Sequence, residues 1–148
     1  MPLHPSSPEQ FLGFMLGSTY RSVSNQFARV LKPYDITPEQ WSVLFIIAGR
    51  EGVNQKEISE ASAKDQPTTA RIVELLQKKG FITKSVSNSD RRAFQLYATA
   101  EGKDLIDLTL PLEQKNIEKA VSGFTTQQLT EFRQMLELIQ RNMGNHQE

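Results

Sequence analysis

The residues best suited to recognising another molecule lie between Asn54 and Tyr97. They form two clusters: Gln66, Pro67, Thr68 and Arg71, then Asp90, Arg91 and Arg92. An arginine can pair bidentately with guanine or clamp a phosphate. Thr and Gln can bond base edges, and Pro67 or a Thr methyl can touch a thymine methyl. In the second cluster a guanidinium steered by a neighbouring carboxylate can enter a narrow minor groove, where A·T-rich shape deepens the negative potential. Covalent chemistry has little to work with. The two histidines, His4 and His146, lie in the terminal tails, there is no cysteine, and no Gly-rich phosphate loop or paired His/carboxylate metal spacing occurs. The chain is therefore expected not to be an enzyme and to need neither cofactor nor metal.

Local signals say how these residues are held. Asn54 to Glu57 has capping-box spacing, with Val53 and Ile58 as a staple, so a helix starts at Asn54 and runs to about Ala63. Asp65-Gln66 caps a second helix with Pro67 in its first turn, and Gly80 stops it. Two short helices joined by a turn of three or four residues make a helix-turn-helix. With Thr69, Ile72, Val73 and Leu76 inward, Pro67, Arg71 and Lys78 face outward, flanked by Gln66 and Thr68. Past Gly80, Ile82, Val86, Phe94, Leu96 and Ala98 fall on even positions. That alternation gives two strands whose hairpin tip carries Asp90, Arg91 and Arg92.

The flanking segments read as helices. Met1 to Ser6 is expected to be a mobile arm, and Ser7 to Gln10 has a capping box with Pro8 at the first position. Leu16, Tyr20, Val23, Phe27, Val30 and Leu31 then mark an amphipathic helix ending before Pro33. Phe11, Leu12, Phe14 and Met15 add more apolar surface than one small domain can cover, which predicts an oligomer contact. Thr37 to Gln40 caps another helix, stapled by Ile36 and Trp41, and Trp41 reads most simply as a packing residue. Thr99 caps a helix that Pro111 should kink or divide. Thr125 to Gln128 caps the last, whose Leu129, Phe132, Leu136, Ile139 and Met143 form a coiled-coil-like seam.

Size and charge set limits. A chain of 148 residues, 38% hydrophobic, is one domain-sized unit with enough apolar content for a core. No run approaches a membrane span and Met1 to Pro8 lacks signal-peptide features, so a cytoplasmic location without membrane attachment is expected. Net charge is zero, but nine Lys or Arg stand against six Asp or Glu from Asn54 to Lys103. The basic excess coincides with the recognition residues.

The motifs together are more specific than any one alone. Gln66-Pro67-Thr68-Thr69-Ala70-Arg71, Leu76 with Lys79-Gly80-Phe81-Ile82, Asp90-Arg91-Arg92 and Thr99-Ala100-Glu101-Gly102 resemble, in order and spacing, the MarR family of winged-helix transcriptional regulators. The resemblance implies a mainly α fold with a small β-hairpin wing (α+β), one domain over 1–148. Within it, 36–99 would be the winged-helix lobe, and 7–33 with 100–144 the dimerisation helices. It implies a homodimer, a repressor, that binds double-stranded DNA at a pseudo-palindromic operator. Pro67, Thr68 and Arg71 would lie in the major groove with Gln66 at the helix start, and Arg91 and Arg92 at the wing, with Asp90 orienting Arg92. It also implies a small aromatic ligand, such as an aromatic acid, near Arg21 and Trp41 with Tyr20 and Phe45 beside them. The alternative is a winged helix used as a protein-interaction module, its outward face meeting an acidic partner.

Overall fold

Capping and apolar spacing translate into six helices and one hairpin in the computed structural model, which describes residues 7, 10–86 and 94–144. The fold is mainly helical with a small two-stranded wing, as the sequence predicts. The helices are α1 (Leu12–Leu31), α2 (Pro38–Gly49), α3 (Gln55–Ser62), α4 (Gln66–Lys78), α5 (Ala100–Ala120) and α6 (Thr126–Gly144); β1 (Ile82–Val86) and β2 (Phe94–Ala98) form the hairpin.

Most starts follow the predicted caps. The Thr37 hydroxyl accepts from the Gln40 N–H while the Gln40 side chain accepts from the Thr37 N–H, a complete capping box for α2. At α3 the box is half built: Asn54 accepts the Glu57 N–H at 2.8 Å, but the Glu57 carboxylate takes its bond from the Asn54 side-chain amide. Thr125 and Gln128 close a full box at α6.

Two expectations are corrected. The capping signature at Ser7 to Gln10 does not open α1: the Gln10 N–H reaches the Ser7 carbonyl, but the helix begins at Leu12 without a side-chain cap, and Pro8 and Glu9 lie outside the described residues. Of the two outcomes expected at Pro111, a kink or a division, division does not occur: α5 continues through it from Ala100 to Ala120. Pro111 is exposed while Leu105, Ile106 and Thr109 before it and Asn116 after it are buried, so packing on the inner face holds the helix across the missing N–H.

The core gathers α2, α3, α4, the inner half of the hairpin and the start of α5 around Leu44, Ile47, Ile58, Val73, Leu76 and Leu96. Antiparallel register pairs Ile82 with Ala98 and Val86 with Phe94. The even-numbered face therefore begins in the core and ends in solvent: Ile82 and Leu96 are buried, Val86 and Phe94 exposed. Val53 pairs with Leu96, which ties the hairpin to the link between α2 and α3.

Two joints fix the lobe. At the first, the Thr99 N–H donates to the Phe81 carbonyl and its hydroxyl to the Gly80 carbonyl, while the same oxygen accepts the Gly102 N–H. A Cβ on Gly102 would stand 2.1 Å from the Phe81 oxygen, which explains the glycine in this first helical turn. At the second, Lys79 at the end of α4 donates to the carbonyl of Asp35, a residue in left-handed conformation at the close of a 3-10 turn, and reaches the Gln40 side chain.

The flanks are different. α6 buries none of its residues, and Phe11 at the N-cap of α1 with Leu12, Phe14, Met15 and Leu16 in its first half are exposed. Of the predicted α1 stripe, Phe27 and Leu31 are buried in the core and Val30 packs against it. No helix among the described residues is long and apolar enough to cross a membrane.

Candidate nucleic-acid interface

On α4 the wheel read from the sequence is reproduced residue for residue on its inner side: Thr69, Ile72, Val73 and Leu76 are its buried residues. Gln66, Pro67, Arg71 and Lys78 are exposed, and Thr68 is half-buried. Burying four side chains on one stripe fixes the rotation of the helix, so the opposite row is presented to solvent by necessity.

The start of α4 is occupied by its own anion. Asp65 accepts the Thr68 N–H at 2.7 Å and the Thr68 hydroxyl at 2.9 Å. These bonds, the backbone one first, hold its carboxyl below the usual 3.8, with Arg71 adding to the effect. Two consequences follow. A carboxylate already satisfies the helix N-terminus, so a backbone phosphate gains little there. With its proton committed to Asp65, the Thr68 hydroxyl can offer a base only lone pairs and a methyl group.

Asp90, Arg91 and Arg92 lie outside the described residues. What leads to them is defined: β1 and β2 project beyond the core, and the Lys84 ammonium sits 5.4 Å from the Phe94 ring centroid.

Of the residues expected to receive a small ligand, Tyr20, Trp41 and Phe45 come together and Arg21 does not join them. The three aromatics line a cavity of about 420 Å³ bounded by α1, α2, α5 and the link between α3 and α4. Trp41 stacks on Phe45 at 5.0 Å between centroids and meets Phe27 edge-on at 5.1 Å. Its indole N–H donates to Thr109 at 2.7 Å, and that hydroxyl donates on to the Leu105 carbonyl. Trp41 is thus a packing residue and a cavity wall at once. Arg21 is exposed and leans back along α1, its guanidinium 3.3 Å from where a Gly17 Cβ would be.

Sequence reasoning missed the polar part of this wall: Ser24, Ser42, Lys64, Glu113 and Asn116. Asn116 is buried and donates to the Val23 carbonyl, which joins α5 to α1. Burial pushes the Glu113 carboxyl above the usual 4.5, and a side-chain interaction with Asn116 opposes the rise. Among the described residues no group of three His, Cys, Asp or Glu could hold a metal ion.

Comparison with known proteins agrees with this geometry. The MarR family model matches residues 36–94, the stretch that holds α2 to the start of β2. An uncharacterised HTH-type transcriptional regulator of Bacillus subtilis, YdcH, is 30% identical over 74% of this chain and 78% of its own. Among solved structures, CouR from Rhodococcus jostii bound to p-coumaroyl-CoA superposes with a TM-score of 0.83 at 23% identity, over 92% of this chain and 96% of that one. The S. aureus MepR–DNA complex gives 0.76 at 20% identity, over 90% and 97%. These two likenesses concern the fold; the family follows from the sequence matches. With its helix-turn-helix in α3 and α4 and its wing in β1 and β2, the chain belongs to the MarR family of HTH-type transcriptional regulators.

Proposed function

We propose that the chain acts as a homodimeric repressor, holding a pseudo-palindromic operator through α4 and the wing and releasing it when a small aromatic ligand enters the cavity. The observation that carries the DNA half is the exposed row Gln66, Pro67 and Arg71 on a helix whose opposite row is fully buried. Arg71 would meet a guanine edge or a phosphate, Pro67 and Thr68 thymine methyls, and Gln66 a base or backbone at the helix start. Arg91 and Arg92 would enter the adjacent minor groove, with Asp90 orienting Arg92.

Pairing is supported by the flanks. Exposed Phe132, Met135, Leu138, Ile139 and Met143 on α6, with Phe11, Leu12, Phe14, Met15 and Leu16 on α1, give an apolar surface that a two-fold partner would cover. Such a pair sets two α4 helices about one turn of DNA apart. Ligand control is supported by what the cavity touches: α1 and α5 on one side, and on the other Ala61 and Ser62 at the end of α3 with Lys64 in the turn before the recognition helix. A ligand preferring dimers with the wrong lobe spacing withdraws the population that fits DNA, by no more than that preference. CouR, as its complex with p-coumaroyl-CoA shows, accepts an aromatic ligand on this fold.

The test is fluorescence anisotropy of purified protein on duplex DNA from upstream of its own coding region, beside a scrambled duplex, at several salt concentrations. Specific binding with two protomers per site is expected. Arg71→Ala and Arg92→Ala should each weaken it and lower the salt slope by about one phosphate contact. A random-sequence selection that enriches no duplex would refute DNA recognition and return the outward face to protein interaction.

A further inference from the structure

The outward row of α4 holds one charge that DNA recognition has not used. At about 100° per residue, Pro67, Arg71, Glu74 and Lys78 fall within roughly 60° of one another, opposite the buried stripe. All four are exposed. An acid therefore stands on the face that would meet a polyanion, where a carboxylate opposes binding. Glu74 lies between the two cations of the row, three residues after Arg71 and four before Lys78, within side-chain reach of both. Its Oε1 is 3.3 Å from the Lys78 Nζ. Among the described residues Arg71 takes part in no ion pair, and the carboxylate it acts on from a distance, Asp65, is committed to Thr68. We infer that Glu74 is a specificity-determining residue: it masks Lys78 from the phosphate backbone, which leaves Arg71 as the cation this row offers and keeps the sequence-independent grip of α4 low.

This inference rests on DNA recognition through α4. The pair does not act through its strength, because exposed pairs of this kind are weak and a phosphate can compete for the ammonium. Distance is what counts. The two charges stand 3.3 Å apart, well inside the screening length of about 10 Å at 0.1 M salt, so a phosphate approaching Lys78 meets both and is drawn by much less than one charge. A guanidinium on a guanine edge depends instead on short, aligned bonds. On an operator, base contacts fix the register, and Lys78 must take whatever phosphate that register provides. On other DNA nothing fixes it, and the protein settles where its free cations find phosphates. Unmasking Lys78 therefore helps the wrong sequence more than the right one.

Glu74→Gln removes the charge and keeps the shape and helix propensity at an exposed site. Anisotropy titrations of the full chain compare an operator duplex, from the upstream region or enriched by selection, with its scrambled counterpart across a salt series. One added phosphate contact steepens the salt slope by about 0.9 and is worth about eightfold at 0.1 M salt. The scrambled duplex is expected to gain one such contact per protomer and the operator less, so that preference for the operator falls at least about threefold. Two further variants isolate the cause. Combining Glu74→Gln with Lys78→Gln should abolish the gain, and Glu118→Gln, which removes an equal charge from an exposed position on α5, should not reproduce it. Unchanged affinity for the scrambled duplex, an equal gain on both duplexes, a gain that persists without Lys78, or one matched by Glu118→Gln overturns the masking role. So does weaker operator binding by Glu74→Gln, which would make the carboxylate a direct base contact. Wild-type protein that prefers no duplex after selection removes DNA recognition itself, and the inference with it.

Discussion

Gly102→Ala is a substitution for which local and tertiary arguments give opposite signs. Alanine is the better helix former, by up to about 1 kcal/mol over glycine, so α5 considered alone should gain stability. The packed structure predicts the reverse. The added Cβ would lie 2.1 Å from the Phe81 oxygen, 3.1 Å from its carbonyl carbon and 3.3 Å from its Cα. All three are backbone atoms, so no side chain can swing aside; relief requires moving the chain by roughly an ångström, as for other overpacked sites that cost about 1–3 kcal/mol or more. The same carbonyl accepts the Thr99 N–H at 2.9 Å, so relief strains that bond as well. Net destabilisation of about 2 kcal/mol follows, a fall in Tm of about 4–8 °C for a chain of this size. Urea and thermal unfolding followed by circular dichroism measure it. A variant as stable as the wild type, or more so, would mean that α5 and the α4–β1 turn are not locked together, and the reasoning would be wrong.

Other consequences can be measured alongside. Thr109→Val removes the acceptor of the buried Trp41 N–H and should cost about 1–3 kcal/mol in urea unfolding, while Thr109→Ser restores most of it; equal stability of all three proteins would show the bond to be dispensable. Asp65, whose carboxyl titrates below the usual 3.8, contributes stability that is present above that value and lost as pH falls through the lowered one. Helicity of the wild type should therefore drop more steeply than that of Asp65→Ala on the acid side, and parallel profiles would contradict the capping role. On α6, Met135→Glu with Leu138→Glu charges the exposed apolar face and should yield monomers by sedimentation velocity with weaker operator binding; an unchanged mass would place the dimer contact elsewhere.

What could be read from sequence was what neighbours along the chain decide. Thr37, Asn54, Asp65, Thr99 and Thr125 each bond a backbone N–H three residues on, and each is visible as a short pattern. The α4 wheel was legible because four apolar or small residues at helical spacing leave only one rotation. Ser7 failed as a start of α1 because a cap stabilises a helix only modestly, and Phe11 and Leu12 in the first turn remain largely exposed, so little burial supports an earlier start. Arg21 failed as a cavity residue because neighbours on a helix point about 100° apart; Tyr20, Ser24 and Phe27 share the inward face, which leaves Arg21 outside. Glu113 and Asn116 were invisible because their neighbours in space, on α1 and α2, are some seventy or more positions away in sequence.

Lys79 gives the recognition helix a second mooring. Asp65 caps the front of α4 within its own first turn, the buried stripe Thr69, Ile72, Val73 and Leu76 seats its inner face, and the Lys79 ammonium ties its rear to the Asp35 carbonyl and the Gln40 side chain, so the helix is held fast on the body that carries it. It cannot swivel in place like a key in a lock. In a two-fold pair such a lobe behaves as the jaw of a caliper, and the quantity it measures is separation. Inserting a single base pair between two half-sites displaces one by about 3.4 Å along the axis and turns it by about a tenth of a revolution. Neither jaw can absorb that by tilting its helix, so the operators this protein tolerates should vary more freely in letters than in length.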